Sequence, residues 1–222
     1  MPEDELPVSP KISKLATAAA LAVPLALAGC KSPNDLEAAL RVTRSTCPAV
    51  ALPAYTNDVT LFDPATSRDA SAIDVEAAID DLKSTCVQGT EAIDATADFE
   101  VTARRVNASG ARDLVLPYYA TVIRGGRIVV SKSLSRVALH FADGQARATA
   151  RGQATTRINL AAASLPDDVL KQINRKRKAG DADAAIDPMA DPKVRTAVSA
   201  ASFELLVGFQ LTEDQLRYNA TR

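Results

Sequence analysis

Several stretches of the chain alternate apolar and polar residues one for one, the spacing of a strand that buries a single face. SAIDVEAAIDDLKSTC (71–86) has the Ala and Glu content of a helix, yet Ile73, Val75, Ala77 and Ile79 share one face, with Asp74, Glu76 and Asp80 between them. The period predicts a strand. NDVTLF (57–62) precedes it as a first strand, and ADFEVTARRVN (97–107) repeats the alternation through Phe99, Val101 and Ala103. RDLVLPYYATVIR and RIVVSKSLSRVALHF are rich in β-branched and aromatic residues and flank Gly125-Gly126, a hairpin signal because both central positions of a type I′ turn need positive φ. Pro117 marks an edge or a bulge, since it donates nothing to a ladder.

After the turn ADG (142–144), Ala146, Ala148, Ala150, Gly152, Ala154, Ile158 and Leu160 fall on one face. Arg147, Thr149, Arg151, Gln153, Thr155 and Arg157 fall on the other. Two strands, two tight turns and a third strand predict a β-meander. SLPDDVLKQINRKRKAG (164–180) reads as one helix near 165–178, with Ser164 as cap, Asp167 and Asp168 in the first turn, basic residues in the last and Gly180 as the stop. DADAAIDPMADP reads as a loop, SFELLVGFQL as a last strand, and TEDQLRYNATR as a short helix capped by Thr212. The prolines of CPAVALPAY favour extended chain. About seven strands with a helical insertion before the last predict a mainly β fold, an antiparallel β-sandwich that is immunoglobulin-like in a loose sense.

The N-terminal pattern differs. Residues 15–28 are an apolar run interrupted by Pro24. A helix of that length rises only ~21 Å against a hydrocarbon core of ~30 Å, so it matches the h-region of a secretory signal peptide, with Lys11 and Lys14 as the positive flank. The run ends in Leu27-Ala28-Gly29-Cys30 and turns polar at once. As residues alone, Cys30 is open to three readings: a core cysteine, half of a disulfide, or a site of attachment. The stretch resembles the lipobox of bacterial lipoproteins, an aliphatic residue, two small residues and a cysteine. The resemblance implies cleavage before Cys30, diacylglycerol on its sulfur and acylation of its amine. Lys31 at the following position implies outer-membrane localisation facing the periplasm in bacteria with two membranes. On this reading residues 1–29 are removed, 30–46 (beginning CKSPNDLEAAL, with a short helix possible through Leu36–Val42) form the lipidated tether, and 47–222 form one β-sandwich domain.

Setting aside Lys11, Lys14, Glu3, Asp4 and Glu5 leaves 24 of the 26 basic and 24 of the 27 acidic residues, a net charge of zero. That excludes the sustained basic excess of generic nucleic-acid binding. With Cys30 lipidated, Cys47 and Cys86 remain as an even pair, expected as a disulfide in an oxidising compartment, with two buried thiols or a metal pair as the alternatives.

The catalytic inventory is thin. His140 is the only histidine, and in SRVALHFAD it alternates against Val137, Leu139 and Phe141, which places it outward beside Arg136. No Gly-x-Ser-x-Gly elbow, phosphate loop, dinucleotide fingerprint or His-Glu-x-x-His helix is present. Asp63, Asp69 and Asp74 could form a paired-carboxylate hydrolase site, but such Ser-rich acidic loops are ordinarily turn chemistry. Two basic features remain: Arg175, Lys176, Arg177 and Lys178 past Lys171, and the stripe Arg147, Arg151 and Arg157. Each reads either as a solvated face or as a surface for anionic ligands. The body is also similar, through TLFDPATSRDASAID and FELLVGFQLTEDQLRYN, to uncharacterised lipoproteins of Gram-negative bacteria, which implies no activity. The expectation is a non-catalytic envelope lipoprotein held by its lipid, meeting an envelope protein partner, needing no cofactor and binding no nucleic acid. A polymer hydrolase and a lipid or polyanion carrier are the alternatives.

Overall fold

The computed structural model describes residues 45–177, 180–182 and 185–222. These form strands β1 (Ala49–Ala51), β2 (Asp58–Phe62), β3 (Ile73–Gln88), β4 (Ala92–Arg105), β5 (Arg112–Arg124), β6 (Ile128–Phe141), β7 (Arg147–Asn159) and β8 (Phe203–Phe209). One sheet has the order β1-β8-β5-β6 and the other β2-β3-β4-β7. Every neighbouring pair is antiparallel except β1 with β8. Helices α1 (Leu160–Ala163), α2 (Asp167–Ile173) and α3 (Pro192–Ala200) lie between β7 and β8, and α4 (Glu213–Thr221) follows β8. The antiparallel β-sandwich expected from the alternation is the fold, with eight strands where seven were counted. The eighth is β1, too short to show a period.

Both sheets contribute their alternate residues to one core. Val75, Ala97, Phe99 and Val101 from one sheet meet Leu116, Val122, Leu139, Phe141, Leu205 and Phe209 from the other. The core is built largely from small and β-branched side chains, and within the β4–β7 ladder the Phe99 ring lies over its register partner Gly152. A Cβ on Gly152 would stand 2.3 Å from the Phe99 ring. Phe99 and Tyr118 meet edge to face at 5.1 Å, and the Tyr118 hydroxyl donates to the Gln153 carbonyl at 2.7 Å.

The Gly-Gly hairpin forms as expected, with φ of 62° at Gly125 and 69° at Gly126. Pro117 sits where β8 has run out: β8 pairs with Tyr118–Arg124, and beyond it Gln210 N donates to the Pro117 carbonyl at 2.9 Å. The missing proline N–H is therefore not needed by a neighbour.

Two expectations are corrected. The meander does not form, because β7 joins β4 of the opposite sheet through thirteen paired positions, and the 142–146 connection crosses between the sheets. The cause lies at the end of β4. Arg105 continues the inward series Phe99, Val101, Ala103 and is buried, 2 % exposed. Its Nε donates to the Gln145 carbonyl at 2.8 Å, and its Nη2 to those of Ala108 at 2.7 Å and Ala142 at 3.0 Å. The guanidinium lies 5.1 Å from the centre of the Phe141 ring. One side chain thus ties the β4–β5 and β6–β7 crossings together.

The single helix near 165–178 is also replaced. Leu160 leaves β7 to begin α1, with Asn159 as its cap, and Ser164 closes α1 by donating to the Leu160 carbonyl at 2.7 Å. Only Asp167–Ile173 is helical thereafter, ending at Asn174, whose N–H reaches the Leu170 carbonyl. Arg175, Lys176 and Arg177 fall past the helix, Gly180 is not its stop, and Lys178 lies outside the described residues. Val169 is the one buried residue of α2, and the consecutive cations after it supply no apolar face to continue the helix. The stretch read as a loop leads into α3, capped by Asp191, whose Oδ1 accepts from Lys193 N at 2.8 Å, with Pro192 in the first turn. The C-terminal helix forms as expected, with Thr212 and Gln215 completing a capping box.

Arg105→Leu removes three charge-assisted hydrogen bonds that join the two crossings, together with the contact to Phe141, and is expected to lower stability by about 3 kcal/mol in urea unfolding. Arg105→Lys is expected to recover only part of this, since one ammonium cannot span all three acceptors.

Candidate functional site

The sequence singled out a disulfide, an acidic loop, a histidine and two basic features, and the fold separates them. Cys47 and Cys86 are bonded, with Cα atoms 6.1 Å apart. Cys86 faces Ala95 in the β3–β4 ladder, and Thr46 Oγ1 donates to Gln88 Oε1 two residues further along β3. The chain therefore enters the sandwich at the end opposite Arg105. Two residues beyond Cys47 it joins the other sheet, where β1 pairs with β8.

The acidic loop is turn chemistry. Asp63 N donates to the Ala72 carbonyl at 2.8 Å, closing the loop, and Asp69 accepts from Ser67 within it. Asp74 lies on β3 and is gripped by Arg112, whose Nη1 and Nη2 donate to its two oxygens at 2.7 Å each. The Arg112 hydrogen bonds hold the Asp74 carboxyl below the usual carboxylate range. Burial opposes them, and the charges of Arg112 and Arg105 add to the lowering. This arrangement suits a structural ion pair better than an acid or base that exchanges protons with a substrate. His140 faces outward as expected and meets Asp113 at 2.6 Å. Among the described residues, no group of three or more His, Cys, Asp and Glu side chains is placed to hold a metal ion.

Arg147, Arg151 and Arg157 stand on the outer face of β7, but acidic residues run beside them. Arg157 reaches Asp94 at 3.5 Å, Arg151 is in register with Glu100, and Arg147 is in register with Arg104, which bonds Glu76 at 3.1 Å. Gln153 donates to Asp98 at 2.7 Å in the same ladder. Arg151 and Arg157 thus face acids on β4, while Arg147 faces Arg104, whose own partner is Glu76. Alternation made the arginines legible, but their acidic neighbours come from β4, a partner that the local pattern does not name.

The basic run after α2 is placed differently. Lys171, Arg175 and Arg177 border a depression of about 500 Å³ whose far side carries Asp187 and Asp191. Asp191 bridges the helices: besides capping α3 it accepts from Gln172 Nε2 at 2.6 Å, and that bond lowers its pKa most. Lys193 and Asp168 join α3 to α2 at 2.6 Å. Cations and carboxylates share this depression.

A surface that the sequence reading passed over is the end of the β5–β6 hairpin. Ile128, Val129 and Val130 are 63 %, 62 % and 54 % exposed, and β6 stays exposed on both faces as far as Arg136. β6 is the edge of its sheet and carries Lys132 and Arg136 on that stretch. The available signal was the apolar triplet directly after a glycine turn.

No protein-family model, curated protein or solved structure matches the chain. The fold itself defines a class, the two-sheet antiparallel sandwich whose chain switches sheets between β1 and β2, β4 and β5, β6 and β7, and β7 and β8. Fold alone assigns no activity.

Two outcomes follow. Cys47→Ser with Cys86→Ser reopens a loop of 39 residues and is expected to cost about 4 kcal/mol in the chain-entropy model, read by chemical denaturation under non-reducing conditions. Asp74 is lowered in the folded state, so its contribution is complete above the ordinary carboxylate value and is lost as pH falls through the folded value. The stability gap between the native chain and Arg112→Leu should therefore narrow between about pH 5 and pH 2, followed by urea unfolding at each pH.

Proposed function

We propose that the protein is a lipid-anchored envelope protein whose β-sandwich is a non-catalytic binding or assembly module. The observation that carries this reading is Leu27-Ala28-Gly29-Cys30 at the end of an apolar run too short to span a bilayer. Cleavage before Cys30 makes it the first residue of the mature chain and the carrier of the acyl chains, and two or more chains give stable attachment. Lys31 favours the outer membrane with the body facing the periplasm. The Cys47–Cys86 disulfide suits an oxidising compartment of that kind.

The binding role rests on what the body offers. The carboxylates that sequence alone left open for hydrolysis are a turn, Asp63 with Asp69, and an ion pair, Asp74 with Arg112. Two of the three stripe arginines face acids on β4, Arg151 at Glu100 and Arg157 at Asp94. What is left unmatched is the β5–β6 hairpin edge, an apolar and basic surface suited to contact with another body.

Intact mass spectrometry of the protein extracted from its native membranes should give a chain beginning at acylated Cys30, and Cys30→Ala should release or mislocalise it. A membrane-extracted chain that keeps residues 1–29, or an unmodified Cys30 at its N-terminus, overturns the anchor. Crosslinking in native envelopes that recovers no partner above background overturns the binding role.

A further inference from the structure

We propose that the free end of the β5–β6 hairpin is a docking face that seats the sandwich against a bilayer containing anionic phospholipid. This deepens the lipid-anchor reading and rests on it for the presence of a membrane. Three independent observations converge on that end of the molecule.

The first is apolar exposure at a rigid tip. Ile128, Val129 and Val130 follow the Gly125-Gly126 turn as three consecutive exposed apolar residues, with Leu134 exposed further along β6. The tip is held from behind. A Cβ on Gly125 would meet Ser199 Oγ at 2.9 Å, and Arg124 Nε bonds the Ala200 carbonyl at the end of α3. Monomeric proteins seldom expose such a run without use. At ~3.3 Å per residue Val130 lies within ~10 Å of the turn, the depth to which interfacial segments enter a bilayer.

The second is charge. From Leu114 to Ala142 the charged side chains are Arg124, Arg127, Lys132 and Arg136, with no carboxylate among them. Among the described residues Arg127, Lys132 and Arg136 form no ion pair with a carboxylate, and the Lys132 ammonium sits 5.1 Å from the centre of the Tyr119 ring. On β7 Arg157 pairs with Asp94 and Arg151 stands opposite Glu100, whereas Lys132 and Arg136 stand opposite Thr121 and Pro117. Lys132 and Arg136 follow the apolar triplet along the strand, so a tip in the acyl boundary places them at head-group depth.

The third is the place where the chain enters. Ala49 pairs with Glu204, Glu204 with Ile123, and Ile123 with Val129. The first strand after Cys47 and the hairpin tip therefore lie in one row across the sheet, three strand spacings or ~14 Å apart. From Cys30 to Ser45 the chain can reach about 50 Å when fully extended. The end at which that segment joins the body is thus the end that carries the hairpin tip.

A second copy of this chain is a poorer occupant. Antiparallel pairing of β6 with its own image sets Lys132 against Arg136 or close to Lys132, with no acid on the strand to offset it. An added strand from another protein would use the length of the β6 edge and leave the apolar tip uncovered.

The test uses residues 31–222 without acyl chains, which retain the described core, since every core residue among the described ones lies at Cys47 or beyond. The protein contains no tryptophan, so Val129→Trp provides a single reporter. Added to phosphatidylcholine vesicles containing phosphatidylglycerol at low salt, the reporter should shift to the blue and the chain should sediment with the vesicles. Binding should weaken at high salt and without the anionic lipid. Arg127→Ala and Lys132→Ala should each lower the partition coefficient about fivefold, and replacing Ile128, Val129 and Val130 by serine should lower it about tenfold or more. Arg151→Ala on β7 should leave it unchanged. Absence of sedimentation overturns the proposal. Sedimentation with the tryptophan still in water, or unaffected by the serine replacements, overturns it in favour of another face. A blue shift that follows protein concentration without vesicles overturns it in favour of self-association. Because the chain tested carries no lipid, its result stands apart from the mass of Cys30: the anchor can fail while the hairpin binds, and the reverse.

Discussion

The sandwich depends on a buried guanidinium. Moving an arginine out of water costs several kcal/mol unless its donors are met, and Arg105 meets that cost with three carbonyls and the face of Phe141. Those carbonyls belong to Ala108 on one sheet-switching loop and to Ala142 and Gln145 on the other. Main-chain bonds at the same end reinforce the tie: Arg105 N to the Ala146 carbonyl, Val106 N to that of Asp74 and Gly144 N to that of Ala108. Because one charge must be served by both loops, neither crossing can relax into a local hairpin without stranding it. The pairing of β7 with β4 rather than β6 is bound to this requirement.

The interior beside this tie is built from small side chains. Ala95, Ala97, Ala103, Ala148 and Ala154 line the inward face of β4 and β7. Gly152 is the limiting case, since the Phe99 ring occupies the place of its missing Cβ. With few aromatics in the chain, the large rings act as spacers between thin layers, and Tyr118 crosses the gap to bond the backbone of β7. A core of this kind gains more from contact at short range than from large side chains.

The local period carried much of the fold. It outweighed residue composition in SAIDVEAAIDDLKSTC, which is a strand because Val75, Ala77 and Ile79 must all face the core. It also contained the clue to Arg105, which falls on the inward side of a strand where a charge demands a reason. Partner choice was not legible. A turn signal at Ala142–Gly144 reports that the chain bends, and says nothing of which strand the next segment meets; β4 lies some fifty residues back. The helix was overextended because cations after α2 look like a favourable last turn, whereas Val169 alone gives that helix a buried side. The Asp191-Pro192 pair was a readable start signal for α3. The sites followed the same division: the cysteine pair was suggested by an even count once Cys30 is set aside, while the acids facing Arg151 and Arg157 come from β4, and the hairpin tip is exposed because no described element covers β6.

The two ends of the sandwich are fastened by different means, and the difference bears on how an anchored body carries load. Arg105 and Cys86 lie near opposite ends of the β3–β4 ladder, ten ladder positions or ~33 Å apart. At the far end polar bonds close the sheets together. At the entry end the disulfide fixes Cys47 to β3 of one sheet, while β1, three residues on a parallel edge, joins the other. A pull on a tether ending at Cys47 would reach a covalent bond into a sixteen-residue central strand before it reached the weakest strand of the sandwich. Without that bond the same pull would peel β1 from β8 one backbone pair at a time. The disulfide thus stands between the entering chain and the weakest strand, and a load applied at the N-terminal side meets it first.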